Sequence, residues 1–589
     1  MQTEHTMNSD ILIIGGGIAG LFSAIKAREA GADVILTDKN YVSRSGATMW
    51  VDTFTVFNPE WGHNKEEWVD FLNHTFEGMN NPEWIDIYLK ESYERYQDLR
   101  SWGIEFPKMP NGEDSVIAFR GMPIETRTTY RGWMFLPKLR AYALKIGVRI
   151  VDHVMITDLI CQKEQVSGAV GFHSQNGELY CFHASAVIMC AGPSGFKSLK
   201  YLGVANLTGD GDAMAYRAGA EISGKDFAFG GIPAFQAEHN EETRVTDLDS
   251  REIDDICGKY RVWSAYLPQV SSFDLFVDAE GYRQTRFTTM DAVHQGRGPI
   301  YLDYDMVPPP MQEWAKQNLA DWNEEFRLER LGIKDMKGKM WTDTFRSETS
   351  TGFANLGGGT GIAPKSLNCE TSLKGLFAAG ESFNSRMFGA NYPYIGFAQA
   401  NAMITAARAA AAAVEYAGRE EKIQADEQII AGLKERAFAP INRKGGFHPR
   451  WAIEQLHSLI FSYYVSIIKD GDRMDGALKL ISFLENHVGP RLYAKDWHDL
   501  RLAHEAQNML LNAEMMLKAS LMREESRGAH YREDFPRRND EEWLAWIRIR
   551  KEGEQMHLFK EPIPEKYIEQ MPKTYEERYV SRFAGEMDT

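Results

Sequence analysis

Three glycines near the amino terminus have the spacing of a phosphate-binding turn. Gly15, Gly17 and Gly20 form a G-x-G-x-x-G pattern that directly follows the apolar run Ile11–Ile14. A helical apolar pattern comes next, which is the strand–turn–helix context that a dinucleotide site needs. Gly15 permits the tight turn, Gly17 lets the backbone approach a pyrophosphate, and Gly20 lets the helix pack close to the strand. The helix N-terminus then offers N–H groups and a positive dipole to the phosphates.

An acidic side chain follows where a ribose would be bound. A second predicted strand, Ala32–Leu36, leads into Asp38. A carboxylate at the end of that strand can accept hydrogen bonds from the ribose hydroxyls. The combination predicts a nucleotide site rather than a plain structural turn.

Later segments indicate which nucleotide is bound. Two further apolar strands, 186–190 and 375–379, lead into Ala191-Gly192 and Gly380-Glu381. Between them, Thr208-Gly209-Asp210-Gly211 precedes a helical segment. We expect both strands to return to the first sheet, so that the nucleotide domain is assembled from distant pieces around an insertion. Such a split domain fits FAD better than a simple NAD domain.

The composition excludes several other classes of protein. The chain has 589 residues, a net charge of −17 and no basic tract, so nucleic acid is not an expected partner. No apolar run approaches the roughly 18 residues that a membrane-spanning helix needs. The first residues lack a basic-then-apolar signal pattern, which predicts a cytoplasmic protein. The five cysteines are scattered without a C-x-x-C pair, so no iron–sulfur cluster, metal site or haem is predicted.

The pattern along the chain predicts an α/β protein with several domains. Predicted helices are Pro82–Trp102 after an Asn81 N-cap, Phe135–Ile146, and Ile395–Tyr416 closed by Gly418, and the stretch 421–521 is predicted to be mostly helical. Predicted strands are Val148–Val154, Leu159–Phe172 and Leu179–Met189, the last two forming a hairpin. The predicted units are a first FAD-domain segment (1–235), a capping domain (236–345), a second FAD-domain segment (346–418), a helical domain (419–522) and a C-terminal extension (523–589).

Motifs throughout the chain match those of one known family. They are Gly15–Gly20, Asp38, Ser43-Arg44-Ser45, Thr208–Gly211, Gly380-Glu381, Gly389-Ala390-Asn391 and the C-terminal run Glu525–Pro536. Together they resemble the succinate dehydrogenase/fumarate reductase flavoprotein family, whose relatives include L-aspartate oxidase and the adenylylsulfate reductase flavoprotein subunit. The resemblance spans essentially the whole chain. It implies a Rossmann-like split FAD-binding domain with an inserted, mobile α+β capping domain, followed by a helical domain and a C-terminal tail. It also implies hydride exchange between flavin N5 and a small substrate.

The resemblance and the glycine turn together give a set of predicted FAD contacts. They are Gly15, Gly16, Gly17, Ile18, Ala19, Gly20, Asp38, Lys39, Ser43, Arg44, Ser45, Gly46, Ala47, Thr48, Val154, Ala191, Gly192, Asp210, Gly380, Glu381, Phe397 and Ala398. In the family's dehydrogenases the flavin is often bound covalently to a histidine that follows Ser-Arg-Ser. Gly46 stands at that position here. Because glycine cannot form the bond, we predict non-covalent FAD.

The family's dicarboxylate site is not matched. Phe353 stands where relatives carry a histidine before Gly-Gly, and Phe388-Gly389-Ala390-Asn391-Tyr392 replaces His-Gly-Ala-Asn-Arg. A further histidine-containing segment is replaced by Phe229–Pro233. An arginine binds a carboxylate through two parallel hydrogen bonds, and tyrosine cannot replace that charge. We therefore predict that succinate, fumarate and aspartate are not substrates.

The pocket predicted in its place is aromatic. Its residues are Trp50, Phe353, Phe388, Asn391 and Tyr392, with Tyr394 nearby. Tyr392 could donate a proton or hold an oxyanion, and Tyr394 is an equal rival. These aromatic residues could instead be ordinary core residues. The family's proton-delivering arginine has no motif match; the candidates are Arg283, Arg286 and Arg297, each of which could also be a surface arginine.

The sequence as a whole predicts an FAD-dependent oxidoreductase that acts on a small, aromatic or weakly charged substrate. Two alternatives stay open. One is an adenylylsulfate-reductase-like flavoprotein subunit, which the run Gly296–Ile300 resembles, and the other is an electron-transfer or scaffold flavoprotein without a substrate site. The run Gly357–Gly361 opens no predicted helix, so it is not a second dinucleotide turn. An iron–sulfur, ferredoxin-like protein partner is therefore expected, and the charged tail after Arg523 could form part of its docking surface.

Overall fold

The computed structural model describes residues 3–108, 112–118, 124–197, 206–227, 360–391, 396–420, 425–466 and 468–579, together with the backbone of short strands between 229 and 354. The helices are α1 Ile18–Glu29, α2 Lys65–Phe76, α3 Pro82–Ser101, α4 Gly132–Lys145, α5 Asp210–Ala218, α6 Phe397–Arg419, α7 Glu427–Asn442, α8 Pro449–Ile460, α9 Tyr463–Ser466, α10 Gly471–Phe483, α11 Trp497–Met522, α12 Asp540–Trp543, α13 Glu565–Ile568 and α14 Tyr575–Arg578.

The strands form one large sheet and several small ones. They are β1 Glu4–Ile14, β2 Val34–Thr37, β3 Thr53–Thr55, β4 Val116–Ala118, β5 Glu125–Thr128, β6 Arg149–Val151, β7 Val154–Gln162, β8 Gln165–His173, β9 Leu179–Met189, β10 Ile222–Ser223, β11 Phe229–Gly230, β12 Phe235–Gln236, β13 Phe276–Val277, β14 Arg283–Gln284, β15 Ile300–Asp303, β16 Thr344–Ser347, β17 Phe353–Ala354, β18 Gly361–Ile362, β19 Leu376–Ala378, β20 Ile468–Lys469, β21 Tyr531–Arg532, β22 Ala545–Glu552 and β23 Gln555–Pro562.

The large sheet has the order β6-β2-β1-β9-β8-β7, and β19 also pairs with β9. Strand β1 runs parallel to β2 and β9, with Ile11 opposite Val34 and Ala186. Strand β19 is parallel to β9. The expected return of both distant strands to the first sheet is therefore confirmed. Residues Ile11–Ile14 are all buried, as expected for a parallel strand that is covered on both faces.

Two helices rich in small residues pack against this sheet. Helix α1 buries Ala24 and Ala27, and the alanine-rich helix α6 buries Ala406 and Ala410. Their backbones approach closely enough for the Ser23 hydroxyl to donate a hydrogen bond to the Ala406 carbonyl at 3.3 Å. The run of alanines in the sequence thus serves close helix packing beside the first strand.

The predicted single strand Leu159–Phe172 is wrong, because the structure divides it into β7 and β8. The dividing residues Lys163 and Glu164 both have positive φ, 51° and 60°, and Gln162 pairs with Gln165 across them. A two-residue loop of this kind matches the twist of an antiparallel pair, although neither residue is a glycine. The predicted hairpin of this region with Leu179–Met189 is confirmed as β8 and β9.

The helix predictions hold with shifted ends. Helix α3 begins at Pro82 after Asn81, whose side chain accepts a hydrogen bond from the Glu83 N–H. Helix α4 starts three residues before the predicted Phe135, at Gly132. Gly418 does not close α6, which continues to Arg419. The stretch 425–522 is mostly helical, as predicted, and α8, α10 and α11 enclose a separate core. The domain boundaries themselves stay predictions.

The idea that the charged tail after Arg523 forms a docking surface is wrong for its first part. Arg523, Glu525 and Arg527 are completely buried, and their charges are matched inside the protein. The following hairpin, β22 and β23, joins a sheet with β10 and β18. None of the described helices has the length and apolar character needed to cross a membrane.

Candidate functional site

A cleft opens at the carboxyl ends of β1, β2 and β9. The glycine turn forms its floor. Gly15 has φ +112°, and a Cβ there would collide with the Cys190 carbonyl oxygen, while a Cβ at Gly20 would collide with the Gly15 carbonyl oxygen. These two glycines are required by the packing of the turn itself.

Gly17 differs from its neighbours in the same turn. A Cβ at this position would find its nearest atom, Thr48 Oγ1, at 3.5 Å, which is ordinary contact. Gly17 is the N-cap of α1, and no side chain caps that helix end. Packing within the described protein therefore does not explain a glycine here, whereas a ligand in the cleft would.

Asp38 lines the cleft and holds the loops around it. Its Oδ2 accepts a hydrogen bond from the Gly16 N–H at 2.7 Å. Its Oδ1 accepts from the Asn40 N–H at 2.7 Å and from the Ser45 hydroxyl at 3.0 Å. A carboxylate has about four acceptor positions, so these three donors leave room for one more.

Lys39 belongs to a buried ion cluster at one end of the cleft. Its ammonium donates to Thr208 Oγ1 at 2.6 Å, to Asp210 Oδ2 at 2.7 Å and to Glu505 Oε1 at 2.9 Å. Burial lowers the pKa of Lys39, but Asp210 and Glu505 outweigh burial and raise that pKa above its usual value. Lys39 is therefore held as a cation beside Asp210, which also lines the cleft.

Glu505 on α11 is a residue that the sequence did not reveal. It is fully buried and pairs with Lys197 at 2.7 Å as well as with Lys39. Burial alone raises the pKa of Glu505, but Lys39, Lys197 and Arg501 outweigh it and lower that pKa to about 2. Helix α11 thereby supports the wall of the cleft through Glu505. No local sequence motif predicts this contact.

Gly46 has a backbone conformation that few residues adopt. Its φ is +79° and its ψ is −179°, a combination found essentially only for glycine. A Cβ there would meet no atom within 4 Å, so the requirement is conformational rather than steric. Gly46 lines the cleft together with Ser45, Ala47 and Thr48.

Gln399 is a second cleft residue absent from the sequence-based set. It is 5% exposed, and neither its amide oxygen nor its amide nitrogen has a hydrogen-bond partner among the residues that the structure describes. A buried polar group without a partner costs about 1–3 kcal/mol. Gln399 faces the cleft, so a polar ligand group there would relieve that cost.

The structure brings most of the predicted FAD contacts to this one cleft. Those on its walls are Gly15, Gly16, Gly17, Ile18, Ala19, Asp38, Lys39, Ser45, Gly46, Ala47, Thr48, Val154, Ala191, Gly192, Asp210, Gly380, Glu381 and Ala398. Four others lie off the walls. Gly20 packs inside the turn, Ser43 is buried beside it, and Phe397 stacks on Tyr88 with ring centroids 4.7 Å apart. Arg44 instead donates to the Trp133 carbonyl at 3.2 Å.

Two of the predicted substrate residues have described side chains, Phe388 and Asn391, and neither lines the cleft. Phe388 is a core residue, 2% exposed, with its ring 6.2 Å from Phe76 and 6.4 Å from Phe397. The side-chain amide of Asn391 donates to the Thr75 carbonyl at 3.1 Å and to Glu77 at 3.3 Å. Both therefore have structural roles in the described part of the chain.

The remaining predicted residues are described by backbone alone or lie outside the described residues. Phe353 is in β17, opposite Gly230, and Arg283 is in β14, opposite Val277. The backbone of Trp50 ends the short helical turn Ala47–Trp50. Tyr392, Tyr394, Arg286 and Arg297 lie outside the described residues.

Comparison with known proteins gives the class to which this cleft belongs. A model described as an FAD binding domain matches residues 10–246, and one described as the fumarate reductase flavoprotein C-terminal region matches residues 456–576. An uncharacterized FAD-dependent oxidoreductase of Methanocaldococcus jannaschii is 30% identical over 564 residues, covering 92% of this chain and 96% of the relative. The class is that of FAD-dependent oxidoreductases, and FAD is the cofactor.

Further relatives define the family. A fumarate reductase (CoM/CoB) subunit of Methanothermobacter marburgensis is 27% identical, covering 92% of this chain and 97% of the relative. In fold, the chain is similar to a quinol-fumarate reductase solved with menaquinol (TM-score 0.77, 21% identity, 95% and 99% covered). It is also similar to adenylylsulfate reductase of Archaeoglobus fulgidus (TM-score 0.74, 20% identity, 96% and 97% covered). The chain belongs to the fumarate reductase/succinate dehydrogenase flavoprotein family.

Proposed function

We propose that the cleft holds FAD without a covalent bond and that the enzyme exchanges a hydride with a small organic substrate less charged than a dicarboxylate. One observation carries the location of the cofactor: the cleft wall has features that protein packing leaves unexplained. Gly17 has room for a Cβ, whose nearest atom would be Thr48 Oγ1 at 3.5 Å, and the buried amide of Gln399 has no partner among the described residues. A bound nucleotide accounts for both features.

Each part of the wall has a role in this proposal. The backbone N–H groups at the start of α1 would face the pyrophosphate, because the helix dipole favours anions there. Asp38 would accept from the ribose with its remaining acceptor position. Lys39 pairs with Asp210 and is held in place by Glu505, and these residues would stabilise the end of the cleft that binds the adenosine half of FAD. When bound, FAD supplies a ring that accepts or donates a hydride.

The absence of a covalent bond rests on Gly46. We expect acid precipitation to release all the flavin, leaving a colourless pellet and a yellow supernatant. A succinate dehydrogenase with covalent flavin, treated in parallel, is the control that should keep its colour. Flavin that stays with the washed pellet would refute the non-covalent assignment.

The substrate class rests on the residues that replace the family's dicarboxylate site. Phe353, Phe388 and Tyr392 cannot supply the charge that binds a carboxylate. We expect succinate to leave the oxidised flavin unchanged in anaerobic mixing, and fumarate to leave the reduced flavin unchanged. Turnover with either acid would overturn the proposed substrate class. Rapid reoxidation by adenylylsulfate would replace it with the second enzyme class considered from the sequence.

We further propose that electrons pass to or from a separate iron–sulfur protein. The relatives named above include one described as a subunit, and this sequence has no cysteine pair suited to a cluster of its own. Stopped-flow mixing of the reduced enzyme with a ferredoxin, with NAD(P)⁺ and with oxygen would test this. We expect fast electron transfer with the ferredoxin, and efficient exchange with nicotinamide alone would contradict the proposal.

A further inference from the structure

A second concave surface lies near the carboxyl end of α5, whose first residue, Asp210, lines the FAD cleft. It is bordered by α5, α7, α11 and the segment 485–490. Three of its lining residues are arginines, namely Arg217, Arg436 and Arg443. We refer to this surface, with Glu485 and Gln507 also in its wall, as the arginine depression.

The arginine depression holds more positive than negative charge. Asp158 pairs with two of its guanidinium groups, at 3.0 Å from Arg217 and 3.2 Å from Arg436, through the same carboxylate oxygen. Arg443 donates to the Leu492 carbonyl at 2.5 Å, and within the described residues it has no carboxylate partner. Two guanidinium groups thus share one carboxylate, and the third is paired only with a backbone carbonyl.

Glu485 does not balance this excess. Burial raises the pKa of Glu485 to about 8, with a further contribution from the neighbouring Glu514. Even an ionised Glu485 would leave three guanidinium groups against two carboxylates, those of Asp158 and Glu485. The net charge of the depression stays positive on a chain whose overall charge is −17.

We propose that the arginine depression binds a small anion with two or more phosphate or carboxylate groups. Guanidinium groups bind such oxyanions through paired, charge-assisted hydrogen bonds. Arg436 and Arg443 have donors left over for this, since the structure gives each one partner among the described residues. A concave site that collects charge of one sign also concentrates the opposite ion from solution.

Arg217 has a different role and is not suited to the test. It donates to Asn508 Oδ1 at 2.8 Å, and Asn508 in turn donates to Asp210 Oδ1 at 2.8 Å. Replacing Arg217 would therefore disturb the wall of the FAD cleft. Arg443 has no such link, so its replacement is expected to leave the cofactor site intact. Arg436 shares Asp158 with Arg217, so the flavin content of its variant has to be checked.

The test is isothermal titration of the FAD-loaded enzyme with pyrophosphate and, separately, with citrate. We expect one site per chain, weakened at least tenfold by Arg436→Gln and by Arg443→Gln, because each removes a charged group that can form paired hydrogen bonds with the anion. The Arg443→Lys variant keeps the positive charge but cannot donate two parallel hydrogen bonds as a guanidinium group does, so it should bind with intermediate affinity. Arg419→Gln, whose side chain is 75% exposed on α6, is the matched control and should bind as wild type.

The two probes also separate the possible ligand classes. Tighter binding of pyrophosphate identifies a phosphate ligand, and tighter binding of citrate a carboxylate ligand. No heat with either anion, or binding that both glutamine variants leave unchanged, would overturn the proposal. Thermal unfolding and the flavin absorbance of each variant check that it is folded and loaded; if Arg436→Gln fails this check, Arg443→Gln carries the test.

Discussion

The turn Gly15–Gly20 offers backbone N–H groups and no charged side chain, whereas the C-terminal ion cluster consists of charges that are completely or largely buried. We define that cluster as Glu77, Asp226, Arg523, Glu525, Arg527, Arg538 and Asp540. In the cluster, Arg523 binds Asp226 at 2.6 Å and Glu525 at 2.7 Å, and carbonyl oxygens take up its other donors. The turn is thus suited to bind a ligand through its backbone, whereas the charges of the cluster are neutralised by one another.

The difference predicts opposite responses to mutation. A substitution in the turn that respects its packing should leave the protein folded and affect what it binds. A substitution in the cluster leaves a buried charge without its partner, so the cost should fall on the fold.

The largest expected effect is that of Arg527→Gln in the cluster. Arg527 binds Glu525 at 2.8 Å and Asp540 at 2.6 Å, and both carboxylates would stay largely buried without it. We expect the free energy of unfolding, measured from urea denaturation, to fall by about 3–5 kcal/mol. Arg419→Gln, at an exposed ion pair, should change it by less than about 0.5 kcal/mol. An equal fall in the free energy of unfolding in the two variants would show that the buried cluster contributes no more to stability than an exposed ion pair.

In the turn, Gly17→Val and Gly15→Ala should separate binding from stability. A Cβ at position 17 would meet Thr48 Oγ1 only at ordinary contact distance, so the apoprotein should unfold at the wild-type urea concentration. FAD affinity should fall at least a hundredfold, about 2.7 kcal/mol. A side chain at position 15 collides with the Cys190 carbonyl, so the apoprotein itself should be less stable. Flavin titration and urea denaturation measure both effects. Full FAD content in Gly17→Val would contradict the phosphate-site assignment.

A smaller effect is expected at Gly46. Alanine there must adopt φ +79° and ψ −179°, at a cost of about 1–3 kcal/mol in the free energy of unfolding. Gly476 in α10 is a matched control, because it also has open space around it but lies within a helix. Gly476→Ala should stabilise the protein by up to about 1 kcal/mol. Opposite signs in the two variants support the conformational argument, and a neutral Gly46→Ala would contradict it.

The smallest effect is the pH dependence from His530, which adjoins the cluster. Burial and the charges of Lys469 and Arg523 hold the pKa of His530 well below its usual value. The unfolded chain therefore takes up a proton below about pH 6.5 that the folded chain refuses, so stability is lost as pH falls. One histidine contributes a slope of at most about 1.4 kcal/mol per pH unit. His530→Asn should lower this slope, and an unchanged slope would assign it to other groups.

The same comparison explains which features the sequence could predict. The glycine turn, the following helix and Asp38 are close in sequence, so their pattern identified the cleft. Lys39 and Glu505 are 466 positions apart, and the sequence around either residue gives no indication that the two are in contact. The buried arginines from Arg523 onward were predicted to lie on a solvated, charged surface. The sequence does not show that Asp226 pairs with Arg523 or that Glu77 pairs with Arg538.

Phe388 illustrates the limit in the opposite direction. The family resemblance placed it at a substrate position, but the structure gives it a place in the core beside Phe76. An aromatic residue that replaces a polar one can either line a pocket or pack in the hydrophobic core. Phe388 packs in the core because helix α2 provides the apolar side chain of Phe76 beside it.

The pairing of β10 with β18 has a consequence for how this chain could change. Ser223 lies opposite Gly361 and Ile222 opposite Ile362, so the chain before position 228 and the chain after position 359 run side by side. Antiparallel partners are about 5 Å apart at their Cα atoms, a gap that a few glycines can bridge. We therefore expect that a chain in which a few glycines replace 228–359 still binds FAD, because the cleft that receives the cofactor is assembled from residues on either side of that segment.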